Sequence, residues 1–372
     1  MIKAFYLELK EIKSSFFLFS LLTWIPLVSF VLAISIFHKG VARDLPINIV
    51  DNDRSNLSRQ IITQIEASPT LHIVQISQDL KQASKDIHYG KTYATVYIPS
   101  HFERDVFQKK QPLVTAFLNT QYLLIGKIIN SALNTTISQS SARIDFASNL
   151  KINGQQKTAL NATAPINTQI TPFFNTYQNY FLFLVSAIIP TILQMLVVVS
   201  IILSFGKSFK KKKDFFNKNN VFVTLMGKTL PYTITYFMWG VIYILYMYGI
   251  EPWEFQGSFS ILFLALFLMI LAYQGVALSL FTINFHTARA LSLGALYTAP
   301  AFAFLGITFP TNSMPEFAFI WHNILPISHY IKLQISQASY GLSIMNVIPL
   351  LTNLLYFLPA WIFVYFKLKR AS

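Results

Sequence analysis

The chain contains no cysteine, which excludes disulfides, thiolate metal sites and a cysteine nucleophile. Charge is also scarce. Asp, Glu, Lys and Arg make up 12% of the residues, where a soluble domain carries about a quarter. The shortage is concentrated in long charge-free runs, the mark of a membrane protein rather than of a large soluble core. Acidic residues are the scarcest, 15 against 29 basic ones, for a formal net charge of +14. Such a balance can signal nucleic acid. Here the basic residues divide by topology, with seven lysines between Lys207 and Lys228, so no nucleic-acid partner is expected.

A phosphate-cradling G-x-x-x-x-G-K-[ST] loop is missing too. Gly206-Lys207-Ser208 and Gly227-Lys228-Thr229 match its end, but Ile201 and Phe222 stand where the first glycine belongs. No nucleotide cofactor is therefore expected in this chain. The chain also lacks G-x-S-x-G and H-E-x-x-H, so hydrolase chemistry has no support. His322 and His329 could share a helix face, but no carboxylate stands at a matching position; they read as interfacial histidines rather than a metal pair.

What is abundant is apolar: 53% of residues are hydrophobic, with 34 Phe and 18 Tyr. Crossing the hydrocarbon core takes about 20 apolar residues in a helix, because unpaired backbone groups are costly there. Six runs meet that test without a charge: Phe16–Phe37, Tyr180–Phe205, Thr229–Ile250, Ser258–Ile283, Ala290–Phe309 and Met345–Phe366. Pro300 and Gly306 interrupt the fifth. The first run is too long for the apolar core of a signal peptide and has no small-residue cleavage site after it.

Orientation follows from Lys and Arg in the short flanks. Lys3, Lys10, Lys13, the seven lysines of Lys207–Lys228, Arg289, Lys367, Lys369 and Arg370 all fall on one side of a six-span plan. The opposite short loops are Glu251–Gly257, with no Lys or Arg, and Thr308–Ser343, with Lys332 alone. Both termini are expected in the cytoplasm and the segment 38–179 outside it. Residues 1–15, with Ile2, Phe5, Leu9 and Ile12 at spacings of three and four, read as an interfacial amphipathic helix, the alternative being a frayed polar tail.

The outer segment alternates strand-like and helix-like runs. Strands are expected at Ile47–Val50, Leu71–Ile76, Tyr93–Ile98 and Leu113–Leu118. Ser55 is expected to cap a helix burying Leu57, Ile61, Ile62 and Ile65; a second helix carries Leu80, Ala83 and Ile87 and closes at Gly90. Ser100 and Glu103 have capping-box spacing, with Phe102, Val106 and Phe107 as the buried face. A longer helix is expected from Tyr122 to about Ser148, then a loose return from Ala147 to Asn179. The expected fold is thus an α-helical integral membrane protein of six transmembrane helices with an inserted α/β extracytoplasmic domain, residues 180–372 supplying the last five spans.

Within the spans, Gln194 and Gln274 are the polar candidates for a pathway, against a reading as helix–helix hydrogen bonds. No Asp, Glu, Lys or Arg lies inside a span, and no inverted repeat is visible, which argues against a proton-coupled carrier. Between the fifth and sixth spans, Pro310, Pro315 and Pro326 break an apolar stretch with Met314, Phe317, Phe319, Ile320, Trp321, Ile324 and Leu325 into short helices. Such a segment is expected to re-enter the membrane or lie in its interface.

Three stretches resemble one family, the membrane subunits of ABC-2-type exporters with a large outer domain between the first two spans. They are PINIVDNDRSNLSRQIITQIEASP at Pro46–Pro69, YATVYIPSHFERDV at Tyr93–Val106, and G-x-T-F-P-x-x-x-M-P at Gly306–Pro315 followed by Leu325-Pro326-Ile327-Ser328-His329-Tyr330. The resemblance implies a type V exporter. Two six-span subunits would form a homo- or heterodimer in a bacterial inner membrane, driven by separate ATP-binding cassette subunits that carry ATP and Mg. It also implies motor contact through Met1–Lys13 and Lys207–Lys228, and a re-entrant pair at Thr308–Ser343 that includes Tyr330. A periplasmic adaptor and membrane lipids are further candidate partners. Within the cytoplasmic loop, Lys210–Lys213 suit topology and anionic lipid, while Asp214, Phe215, Phe216, Phe222 and Leu225 are the candidates for motor coupling, or else lie in the lipid interface. A secondary carrier and a non-transporting scaffold for envelope assembly remain as rival functions.

Overall fold

The computed structural model describes residues 1–372 except 39, 41, 109, 111, 122, 154–178, 180, 211–220, 251–254 and 372. The chain divides into two compact units, Val41–Pro172, and Met1–Gly40 together with Phe173–Ser372.

The smaller unit is built on a four-stranded sheet of order β2-β1-β3-β4, with β1 Leu45–Asp51, β2 Leu71–Ser77, β3 Ala94–Ile98 and β4 Thr115–Leu118. β1 lies parallel to both neighbours, and β3 pairs antiparallel with β4. A central strand with parallel neighbours on both sides is covered on both faces and so reads as a nearly continuous apolar run. That is why Ile47, Ile49 and Val50 are all fully buried. The helices are α4 Asn56–Glu66, α5 Leu80–His88, α6 Phe102–Phe107 and α7 Leu123–Asn153.

Ser55 caps α4 as expected, its hydroxyl accepting the Ser58 amide at 3.0 Å. Leu57, Ile61 and Ile65 are buried beneath that helix, while Ile62 is only half-buried. Gly90 follows α5 with a φ of +69°, a backbone state that glycine adopts without strain.

The expected capping box at Ser100 and Glu103 does not form. The residue before α6 is His101, which makes no side-chain cap. Instead Asp53, fifty residues away, accepts the Glu103 amide at 2.9 Å. A carboxylate from the neighbouring turn satisfies the donor that Ser100 was expected to take. Phe107, expected inside, is exposed; of α6 only Phe102 is buried. The long helix continues to Asn153, past the expected end near Ser148, because nothing in Ser148–Asn153 stops a helix. The rest of the expected return, residues 154–178, lies outside the described residues.

Burial alone would raise the Asp53 carboxyl. The Ser55 hydroxyl and the amides of Glu103, Phe102 and His101 together hold it below its ordinary value of 3.8. A depressed carboxyl stabilises the fold above its ordinary pKa and loses that contribution as pH falls through the lowered one. Asp53→Ala is therefore expected to cost about 1 kcal/mol at neutral pH, as other lost caps do. Thermal unfolding of the full chain should show that difference at pH 7 and a smaller one near ~pH 3. An equal difference at both pH values would refute the assignment.

In the larger unit, α1 Ile2–Ser14 precedes α2 Phe16–Leu22 and α3 Trp24–Phe37, which meet at Thr23. After a π-helical turn, Phe181–Val185, come α8 Ser186–Lys210, α9 Val221–Leu245, α10 Phe259–Asn284, α11 Thr287–Thr298, α12 Ala301–Phe304, α13 Glu316–Ile324, α14 Pro326–Ala338, α15 Ile344–Leu355 and α16 Pro359–Ala371. Among the described residues, five helices are long and apolar enough to cross a membrane: Phe16–Phe37, Phe181–Lys210, Val221–Ile250, Phe259–Asn284 and Ile344–Ala371. They coincide with five of the six expected spans, extended by a few residues at their ends.

The fifth expected span, Ala290–Phe309, is not one helix. α11 ends at Thr298, a turn covers Ala299–Pro300, and α12 is four residues long. Pro300 lacks an amide hydrogen and its ring crowds the carbonyl four residues back, which breaks the ladder. Gly306 then takes φ +84°, and a side chain there would also meet Thr311 Cγ2 at 2.7 Å.

The prolines beyond it act as read. Pro310 opens a short turn at Thr311–Ser313, and Met314, half-buried, leads into Pro315 at the start of α13. Pro326 occupies the first turn of α14, where its missing donor has no intrahelical partner to lose. α13 exposes Phe317, Phe319, Ile320 and Ile324, whereas α14 buries Ile327, Tyr330, Ile331 and Leu333.

Candidate functional site

The core of the larger unit contains a charged pair. Glu8 on α1 and Lys228 on α9 are both fully buried, 0% exposed, and their side chains form an ion pair. The other Glu8 oxygen accepts from Ser204 Oγ on α8 at 2.6 Å and from Tyr232 on α9 at 2.6 Å. Lys228 also donates to Ser208 Oγ at 2.9 Å and lies 5.3 Å from the centre of the Phe205 ring. Glu11 stands 3.9 Å from Lys228 and accepts from Ser208 Oγ at 3.5 Å. Glu8 is thus a shared acceptor for donors from two helices.

Sequence periodicity builds this seam. Ser200, Ser204 and Ser208 recur every fourth residue on α8 and so share one face. Tyr236, Tyr232 and Lys228 do the same on α9. The two rows meet, with Ser200 hydrogen-bonded to Tyr236, while Tyr236 also reaches the carbonyls of Leu196 and Leu21 at 3.1 and 3.2 Å. Gly227 completes the fit: a side chain there would meet the Met1 carbonyl at 2.6 Å and Ala4 Cβ at 2.8 Å, so α1 rests directly on the backbone of α9.

This geometry places the N-terminal helix and corrects the expectation for one lysine. Ile2–Ser14 form a helix in which Ile2 is exposed and Glu8 faces inward with Ile12. Lys228, counted among the loop lysines, belongs to the helix α9 and is buried. The available signal was a lone lysine in an otherwise uncharged helix opposite a serine row.

Magnitudes show what holds α1. Of its thirteen residues only Glu8 and Ile12 are buried. Burying one isoleucine contributes about 1.5–3 kcal/mol. Removing one partner of a buried ion pair costs about 3–5 kcal/mol, since the other is left uncompensated. Loss of either charge alone is therefore expected to cost at least as much as loss of the apolar contact.

The other site residues are placed as follows. Asp214, Phe215 and Phe216 lie outside the described residues. Leu225 is buried in the helix core, 1% exposed, while Phe222 is 58% exposed. Of these two, Phe222 presents its side chain at the surface. Gln274 exchanges hydrogen bonds with Thr233 at 2.9 and 3.1 Å, joining α10 to α9. Gln194 donates to the Thr298 carbonyl at 3.5 Å, joining α8 to α11. Such bonds suit helix attachment, worth about 0.6 to 2 kcal/mol each. Tyr330 is fully buried on α14, one turn before Gln334, which donates to Ser186 O at 2.9 Å and to Tyr248 at 3.0 Å. His322 and His329 sit on separate helices divided at Leu325, their rings 6.2 Å apart, each donating to a backbone carbonyl.

Long apolar helices among the described residues, with a separate α/β unit, fit a membrane protein. The chain belongs to the ABC-2 family of transporter proteins, whose model matches residues 15–367, and it is a permease component of an ABC transporter. None of the curated proteins compared with it matches. The matched region contains all three stretches that carried the resemblance, and α1 with Glu8 precedes it.

Proposed function

We propose that the chain is the membrane-spanning permease subunit of an ATP-driven exporter, forming a translocation path as a dimer powered by separate ATP-binding subunits. The observation that carries this reading is the family match across nearly the whole chain, joined to the one-sided distribution of Lys and Arg around the apolar helices. In this reading both termini are cytoplasmic, six segments cross a bacterial inner membrane with α11 and α12 together as the broken fifth, and the unit Val41–Pro172 is periplasmic. The α13–α14 pair covers the outer mouth of the bundle. ATP binding closes the motor dimer, and the cytoplasmic elements pass that motion to the spans. ATP and Mg stay on the motor, because both G-K-[ST] sequences lack the first glycine.

The test is affinity purification of the tagged chain from its native membranes in mild detergent. A co-purifying ATPase that hydrolyses ATP is expected. Transport unaffected by removal of ATP would favour a secondary carrier, and normal envelope assembly with a locked path would favour a scaffold.

Orientation has its own test, since the chain has no native cysteine. An impermeant reagent on intact cells should label Asn56→Cys and leave Asn217→Cys untouched; the reverse pattern would invert the topology. The pair Phe215→Ala and Phe216→Ala is expected to leave abundance unchanged and to weaken co-purification of the ATPase. If hydrolysis and transport match the parent, the loop is not the coupling element.

A further inference from the structure

We propose that the buried Glu8–Lys228 pair is the link that fixes α1 to the seam between α8 and α9, so that a motor subunit acting on α1 moves both helices together. The inference rests on the reading of the chain as a motor-driven permease. Glu8 and Lys228 are positioning residues in this scheme, acting through α1 rather than on any transported molecule.

Three observations support it. First, Glu8 accepts from both helices at once, from Ser204 on α8 and from Tyr232 and Lys228 on α9. A displacement of α1 therefore cannot be absorbed by one helix alone. Second, charge is sorted across α1. Glu8 is buried and Glu11 half-buried on the inner side, while Lys3, Lys10 and Lys13 are exposed with Ile2 and Tyr6. One face is held while the other remains open to be gripped. Third, the contact at Gly227 brings α1 onto the backbone of α9 itself, leaving no flexible side chain between them to take up motion.

A buried ion pair resists partial displacement, because neither charge can be left without the other. Replacing both charges by apolar residues of similar size often restores stability. It does not restore a directional attachment. That difference separates a link from a filler.

The experiment uses the full complex with its co-purified ATPase. A single cysteine at Met345→Cys, which is 80% exposed at the start of α15 and outside the seam, reports on the larger unit through its labelling rate with a maleimide. Rates are measured without nucleotide and with ATP plus vanadate. The parent is expected to change its rate with nucleotide. Glu8→Met/Lys228→Met is expected to regain the parent's thermal stability, yet its nucleotide-dependent rate change should fall by about 5-fold or more, the low end of a typical coupling between two sites. Glu8→Leu/Lys228→Met, a second apolar pair that leaves no buried charge unpaired, should show the same loss and serves if the first double variant fails to assemble. A stable variant lacking the pair that keeps the parent's response overturns the link and leaves the proposed function standing. A parent that co-purifies no ATPase, or ignores nucleotide, overturns both.

Discussion

Lys228→Met alone is expected to destabilise the chain by about 3–5 kcal/mol. The substitution fills the volume of the lysine stem but leaves the Glu8 carboxylate inside the larger unit without its cation. Ser204 and Tyr232 still donate to Glu8, which places the effect below that of a wholly unpaired charge. Adding Glu8→Met should return most of the loss, because the desolvation of both charges disappears with them. The measurement is thermal unfolding of the detergent-solubilised chain, with the two single variants and the double forming a cycle. Additive losses would mean that the two charges do not interact in the folded protein.

Gly227→Val is expected to cost about 1–3 kcal/mol, the range for overpacking a filled contact. The added carbon would lie 2.6 Å from the Met1 carbonyl, a backbone atom, and 2.8 Å from Ala4 Cβ. α1 must lift, and lifting it also pulls Glu8 from Lys228 one residue along. A spin label at Tyr6→Cys, on the exposed face of α1, should become more mobile in Gly227→Val than in the parent. Unchanged mobility would show that α1 does not rest on this glycine. Gly240 is the natural control, since the nearest atoms to a side chain there belong to Leu266, at 2.6 Å, and not to α1.

Most of the architecture was legible residue by residue. Five helices long and apolar enough to cross a membrane follow from charge-free runs, and a run of that length is itself the physical requirement for crossing a bilayer. The central strand was legible because Ile47, Ile49 and Val50 make the nearly continuous apolar run that a strand covered on both faces requires. Ser55 was legible because a cap bonds within three residues. Where the expectation failed, the missing partner was distant. Ser100 and Glu103 had the right spacing, but Asp53 reached the amide first. Ala290–Phe309 had the right composition, but Pro300 and Gly306 broke it once the chain had other contacts to make.

The sequence by itself determined that this chain is a membrane protein, which runs form helices long and apolar enough to cross a bilayer in five of six cases among the described residues, and where a small α/β unit lies in the chain. Those properties depend on composition over about twenty neighbouring residues. Only the tertiary structure decided the fate of the charges. Lys228 has the local setting of a flanking lysine, and Glu8 that of a polar tail residue. Both are buried because they face each other across 220 positions of the chain. A buried charge is tolerable only when its counter-charge is held against it, and no local pattern states which residue that will be.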